Sequence, residues 1–251
     1  GSVVLVTRSL GTGGVEAIVA TLARGLPSFG VRAVVLCEIA GETADALRAD
    51  GIQVVECPDQ DSADNYLASL PTSAVAQLHN APGYLVAACL SRRLPLIPVI
   101  HSTDMDLSHD QWEEQHQLIE RAAASIAVSE TVRDYFTHHL PGPAPSAITV
   151  IPNGVELTVT DTEICASRQA LARLLAADLD GAIVFSCLAR YNLQKNVAGL
   201  VSSFVGAAEE RDDVRLVVAG PVDDWLEYAL ADAIRRASSA SDRVHLLGTS
   251  D

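Results

Sequence analysis

The chain is 251 residues long and 49% hydrophobic, enough for one large core or two of moderate size. Its formal net charge of −15 argues against nucleic acid or an anionic membrane surface as a partner. An anionic ligand must therefore be held by a local cationic site, because the overall field repels it. No apolar run approaches the ~18 residues of a membrane span, and no signal peptide is visible. The five cysteines show no C-x-x-C spacing. They read as buried thiols of a reducing, cytoplasmic compartment, not as ligands or disulfides.

In chain order, Val3–Thr7 reads as a first strand and Ser9-Leu-Gly-Thr-Gly-Gly14 as a loop. A helix follows with Val15, Ile18, Val19, Leu22 and Leu26 on one face. Strand, glycine loop and helix together can cradle phosphate, since backbone N–H groups converge where no Cβ intrudes. A dinucleotide fingerprint wants a third glycine where Glu16 stands. Glu38, ending the second strand, does sit where a ribose-binding acid would. A nicotinamide-dependent oxidoreductase is therefore carried as an alternative.

Strands are predicted at Ala33–Cys37, Val54–Val55, Val75–His79, Leu96–His101, Ser125–Val128 and Ile148–Ile151. Helical patterns lie between most of them, including Asp110–Ala124 and a helix capped by Ser129. Repeated βα units imply a parallel, doubly wound sheet with ligands at the carboxyl ends of its strands. The polar residues ending those strands are His79, His101, Ser129 and Asn153. A hydrogen-bonded, non-catalytic histidine is the default reading for His101, and His79 is open to both readings. Asp104-Met-Asp106 has the form of a metal-binding D-x-D, short enough to arise by chance, and is read as solvent-facing or acceptor-side. Arg92–Arg93 and His138–His139 read as helix ends.

Pro141-Gly-Pro-Ala-Pro145 interrupts the pattern without ending it, and Pro152-Asn-Gly-Val155 is a turn. The linker is placed at Leu157–Thr162, dividing the chain into domains at 1–157 and 158–251. A helix is expected at Arg168–Ala177, then a second βαβαβ series. Its strands are Ala182–Leu188, read as buried, Arg215–Ala219 and Arg243–Leu247. Its helices are Val197–Glu210 and Asp223–Ser238. No element follows to close this second sheet, so exposed apolar surface and self-association are expected.

The loop after Ala182–Leu188 carries Arg190 and Lys195 and runs directly into a helix, the arrangement in which α/β proteins bind phosphate. Lys195 is the only lysine, and arginine supplies the other 16 of the 17 basic residues. Either a compact ammonium is needed here or one surface lysine is present by chance.

Several segments line up in order with one family. They are Gly13-Gly-Val-Glu16, Pro98-Val-Ile-His101, Ala127-Val-Ser-Glu130 and Ile148-Thr-Val-Ile-Pro-Asn-Gly-Val-Glu156. Then come Arg190 with Lys195-Asn196, Leu216-Val-Val-Ala-Gly220 and Val244-His-Leu-Leu-Gly248. On these the chain resembles a GT-B fold glycosyltransferase of family 4, the retaining, nucleotide-sugar-dependent group. The resemblance implies an α/β fold of two Rossmann-like domains facing a cleft, the N-terminal one taking a hydroxyl acceptor and the C-terminal one the nucleotide sugar. It implies a hexosyltransferase with retention, no cofactor and no metal ion.

It further implies that Arg190 and Lys195 hold the donor diphosphate, and that the Gly13–Gly14 backbone closes on it. His101 would face the transferred sugar, Asn153 and Gly154 would shape the cleft floor, and Gly220 would line the donor site. The family's donor domain continues past Val244–Gly248 with a base-binding segment and two glutamates seven residues apart. The resemblance therefore implies a truncated member, or a binding module that holds a sugar nucleotide without transferring it.

Overall fold

The computed structural model describes residues 1–71, 73–103, 107–142, 147–155, 159–191, 195–208, 210–221 and 241–248. The D-x-D segment 104–106 and the helix expected at 223–238 lie outside them. The chain divides into two units, Gly1–Glu156 and Leu157–Asp251.

The first unit is built on β1 (Ser2–Ser9), which pairs in parallel with β2 (Arg32–Ile39) on one edge and β4 (Ala74–His79) on the other. With β3 (Gln53–Glu56), β5 (Leu96–Ile100), β6 (Ser125–Ala127) and β7 (Ile148–Val150) it forms a seven-stranded parallel sheet of order β3-β2-β1-β4-β5-β6-β7. Strand side chains alternate between faces. Leu5 packs with buried residues of α1 (Gly14–Gly25) and α2 (Glu42–Ala49). Val4 and Val6 pack with α3 (Gln60–Ala68) and α4 (Gly83–Ser91). A further cluster joins Trp112 and Ile119 of α5 (His109–Arg121) to Val132 and Phe136 of α6 (Glu130–His139). Fully burying each such side chain contributes about 1.5–3 kcal/mol.

Side-chain caps set the helix starts. Ser129 Oγ accepts from Val132 N, as its position before an apolar-periodic run predicts. Ser108 and Gln111 form a reciprocal capping box on α5. His138 and His139 end α6, where His139 stacks on Trp112 and its Nδ1 contacts Tyr135 O at 2.8 Å. Cys37, Cys57 and Cys89 are buried, whereas Cys165 is exposed.

The second unit corrects two expectations. Its helix α7 (Asp161–Leu175) starts seven residues before the predicted onset, inside the presumed linker. The reason is a capping box: Thr160 Oγ1 accepts from Glu163 N while Glu163 Oε2 accepts from Thr160 N at 2.7 Å. The strand predicted to be buried, β8 (Ile183–Leu188), is largely exposed, with Phe185 at 53% and Leu188 at 85%. Among the described residues it is an edge strand, in a parallel sheet of order β10-β9-β8 with β9 (Val214–Ala219) and β10 (Val244–Leu246). Helix α8 (Val197–Ala208) buries Val197, Val201, Phe204 and Ala208 against Leu216 and Val218. No helix among the described residues is long and apolar enough to cross a membrane.

One backbone position and one buried side chain give testable predictions. Gly220 has φ +149°, and a Cβ there would lie 2.1 Å from Ala189 O. Gly220→Ala is expected to destabilise the second unit by ~2–4 kcal/mol, read by urea unfolding, since backbone must move to admit a methyl. In the first unit His79 is fully buried, and burial, with His101 beside it, lowers its pKa from 6.5 to about 3. Between those values the unfolded chain binds a proton that the folded chain refuses, so stability is lost as pH falls from 6.5 toward 3. The stability advantage of the wild type over His79→Phe is expected to shrink by about 1 kcal/mol on going from about pH 7 to about pH 5.5.

Candidate active site

In the first unit the strand order reverses between β1 and β4, and the carboxyl ends of the strands there form a crevice. The glycine loop leaves β1 at this place. Leu10 N donates to Ile39 O, Thr43 N donates to Leu10 O, and Thr43 Oγ1 donates to Gly11 O at 2.6 Å. Gly41 backs onto the same loop: a Cβ there would lie 2.9 Å from Leu10 O and 3.0 Å from Gly11 Cα. The turn before α2 thus clamps the loop. Sequence reasoning passed over Gly41 and Thr43, although a glycine just before a helix was a visible signal.

Gly13 is the N-cap of α1 and Gly14 its first residue, with no side-chain cap. Glu16 folds back over this helix start. Its carboxylate would meet any Cβ at Gly13 at 2.3 Å, and its Oε1 accepts from Ser9 Oγ at 2.8 Å. Glu16 thus fills the space that the third glycine of a dinucleotide fingerprint would leave open. Glu38 lies 3.9 Å from Arg8. Both features weigh against the dinucleotide reading.

His79 ends β4 and His101 follows β5, and the structure brings them together. His79 Nδ1 and His101 Nε2 share a hydrogen bond at 2.9 Å, with ring centroids 5.1 Å apart. His101 is half-buried. Burial lowers its pKa, and the Glu16 carboxylate opposes that. His101 lines a cavity of about 370 Å³, with Arg8, Asn80, Ser102 and Gln115 as its other polar walls. Asn153 and Gly154 lie in an exposed, irregular stretch after β7.

In the second unit Arg190 and Lys195 are both exposed, at the carboxyl end of β8 and just before α8. A staple of backbone and tyrosine contacts fixes the base of this loop. Ala189 N donates to Ala219 O, Tyr191 N to Pro221 O, and Gly220 N to Gly248 O. Tyr191 is buried, and its hydroxyl donates to Val218 O at 2.7 Å. Asn196 Oδ1 accepts from Gly199 N, capping α8. Gly220 abuts Ala189 O and Arg190 N, so the structure gives it a packing reason to be glycine. Tyr191 was missed, although a tyrosine between two basic residues in a chain only 4% aromatic was a signal. Among the described residues, no three His, Cys, Asp or Glu side chains cluster closely enough to hold a metal ion.

The family model for Glycosyltransferase Family 4 matches residues 12–159. Among solved structures, Anabaena Alr3699/HepE in complex with UDP-glucose is 20% identical at a TM-score of 0.77, over 100% of this chain and 69% of that one. A glycosyltransferase from Rickettsia africae ESF-5 is 13% identical at a TM-score of 0.78, over 100% and 68%. The E. coli trehalose-6-phosphate structure bound with UDP-2-fluoro glucose is 12% identical at 0.66, over 100% and 74%. At these identities the likeness shows the fold, GT-B. No curated protein matches the sequence. With its parallel α/β sheets and a family match over more than half its length, the chain belongs to glycosyltransferase family 4.

Proposed function

We propose that the chain transfers a hexose from a nucleotide-diphosphate sugar to an acceptor hydroxyl, with retention of configuration and without a metal ion. The observation that carries this reading is the exposed pair of the second unit, Arg190 on the stapled residues after β8 and Lys195 two residues before α8. Transfer leaves charge on the departing diphosphate, and fixed cations near a helix N-terminus meet that charge without reorganising. Support comes from Alr3699/HepE, which was solved with UDP and with UDP-glucose.

In this reading Gly13 and Gly14 give backbone N–H groups to the donor, and Gly220 holds the loop that carries Arg190. Asn153 and Gly154 border the site, and His101 contacts the sugar that moves. Retention follows from attack on the leaving-group face, where a diphosphate oxygen takes the acceptor's proton and no side-chain base is required. The free, buried thiols Cys37, Cys57 and Cys89 suit a reducing, cytoplasmic setting. The exposed Ile183, Phe185 and Leu188 of β8 suit self-association.

Lys195→Ala is expected to lower UDP release from UDP-glucose by ~10²–10³ in the presence of an acceptor. Near-wild-type turnover in that variant removes the central assignment. Titration calorimetry with UDP-glucose separates the enzyme from a binding module. Tight binding that Lys195→Ala weakens, with no turnover in the wild type, selects the module.

A further inference from the structure

The geometry points to His79 as a positioning residue that sets the tautomer of His101: its Nδ1–H donates to His101 Nε2, and His101, which lines the cavity, is left with its proton on Nδ1. The tautomer rests on the geometry alone, and its consequence for sugar transfer rests on the function proposed above.

The two rings share one hydrogen bond at 2.9 Å, and that contact holds one proton. A neutral imidazole carries a single N–H. If His101 donated, the proton of His79 would have to sit on Nε2. That nitrogen is fully buried, and no group among the described residues hydrogen-bonds to it. A buried N–H would then be left without an acceptor. If His79 donates from Nδ1, only a lone pair is left there, and buried orphan donors are the rarer defect in proteins.

The direction of control follows from the backbone. His79 is the last residue of β4 and is paired on both sides, with Thr7 of β1 and Val99 of β5. Its ring is therefore held by the middle of the sheet. His101 lies one residue beyond β5, half-buried and against the cavity. The fixed ring orients the freer one. So held, His101 offers a hydrogen-bond donor to an oxygen atom such as a sugar hydroxyl. The opposite tautomer would offer a bare lone pair, the form of a general base.

The test is the ring protonation of His101 in the full 251-residue chain, read near neutral pH from two-bond ¹H–¹⁵N correlations. Loss of signals in His101→Gln assigns its resonances among the seven histidines. The expected result is a protonated Nδ1 and an unprotonated Nε2. His79→Asn, whose amide nitrogen lies near the place of Nδ1, is expected to keep that pattern. His79→Phe fills the ring volume without a donor and is expected to return His101 to the Nε2–H form that predominates in water. Nε2–H on His101 in the wild type or in His79→Asn overturns the proposal, and so does Nδ1–H persisting in a folded His79→Phe. Should His79→Phe not fold, the wild type and His79→Asn decide it. The expected tautomers together with full transfer activity in His101→Gln leave the positioning role standing and remove His101 from the reaction.

Discussion

The first unit depends on β1 being hydrogen-bonded on both edges. Parallel pairing with β2 on one side and β4 on the other forces the connections to leave in opposite directions around the sheet. A crevice must then open at the carboxyl end of β1, because no crossover helix can cover it from both sides. The glycine loop, Glu16, His79 and His101 all gather there for that reason. The glycine loop and Glu16 lie more than sixty residues before His79, and His79 lies 22 residues before His101. Their meeting is a product of strand order.

The second unit solves a different problem with similar means. In the function proposed above, a chain of net charge −15 presents cations to an anion without the help of its overall field. The start of the loop after β8 is stapled to the end of β9, where Ala189 N donates to Ala219 O and Tyr191 N to Pro221 O. Tyr191 buries its ring between the two basic positions, and its hydroxyl reaches the last turn of the ladder at Val218 O. Arg190 and Lys195 stay exposed, and the backbone on both sides of Arg190 is hydrogen-bonded at Ala189 and Tyr191. Fixing that backbone removes part of the ordering cost that a flexible cationic loop would carry on binding.

Much of this was legible in the residues. Strand runs such as Ala33–Cys37 and the cap at Ser129 are local signals, and local signals survive into the fold. The onset of α7 was equally local, but Thr160 and Glu163 form a capping box that apolar periodicity cannot reveal. The exposure of β8 was not legible at all. An apolar run reads alike whether neighbours cover it or not, and only the sheet order shows one of its edges open. The contact of His79 with His101 was out of reach for a related cause. Each histidine could be placed at a strand end, yet their closeness depends on β4 and β5 being neighbours in register, which is a tertiary fact. Gly220 was noticed for its motif, while its steric reason lies at Ala189, more than thirty positions earlier.

The exposure of Lys195 has a practical side. It carries the only ε-amine in the molecule, so acylating and reductive-alkylating reagents have one side-chain target besides the amino terminus. Amine chemistry on this chain amounts to site-directed labelling without mutagenesis. A fluorophore or surface tether attached that way will report from the mouth of the second sheet, and will also obstruct it.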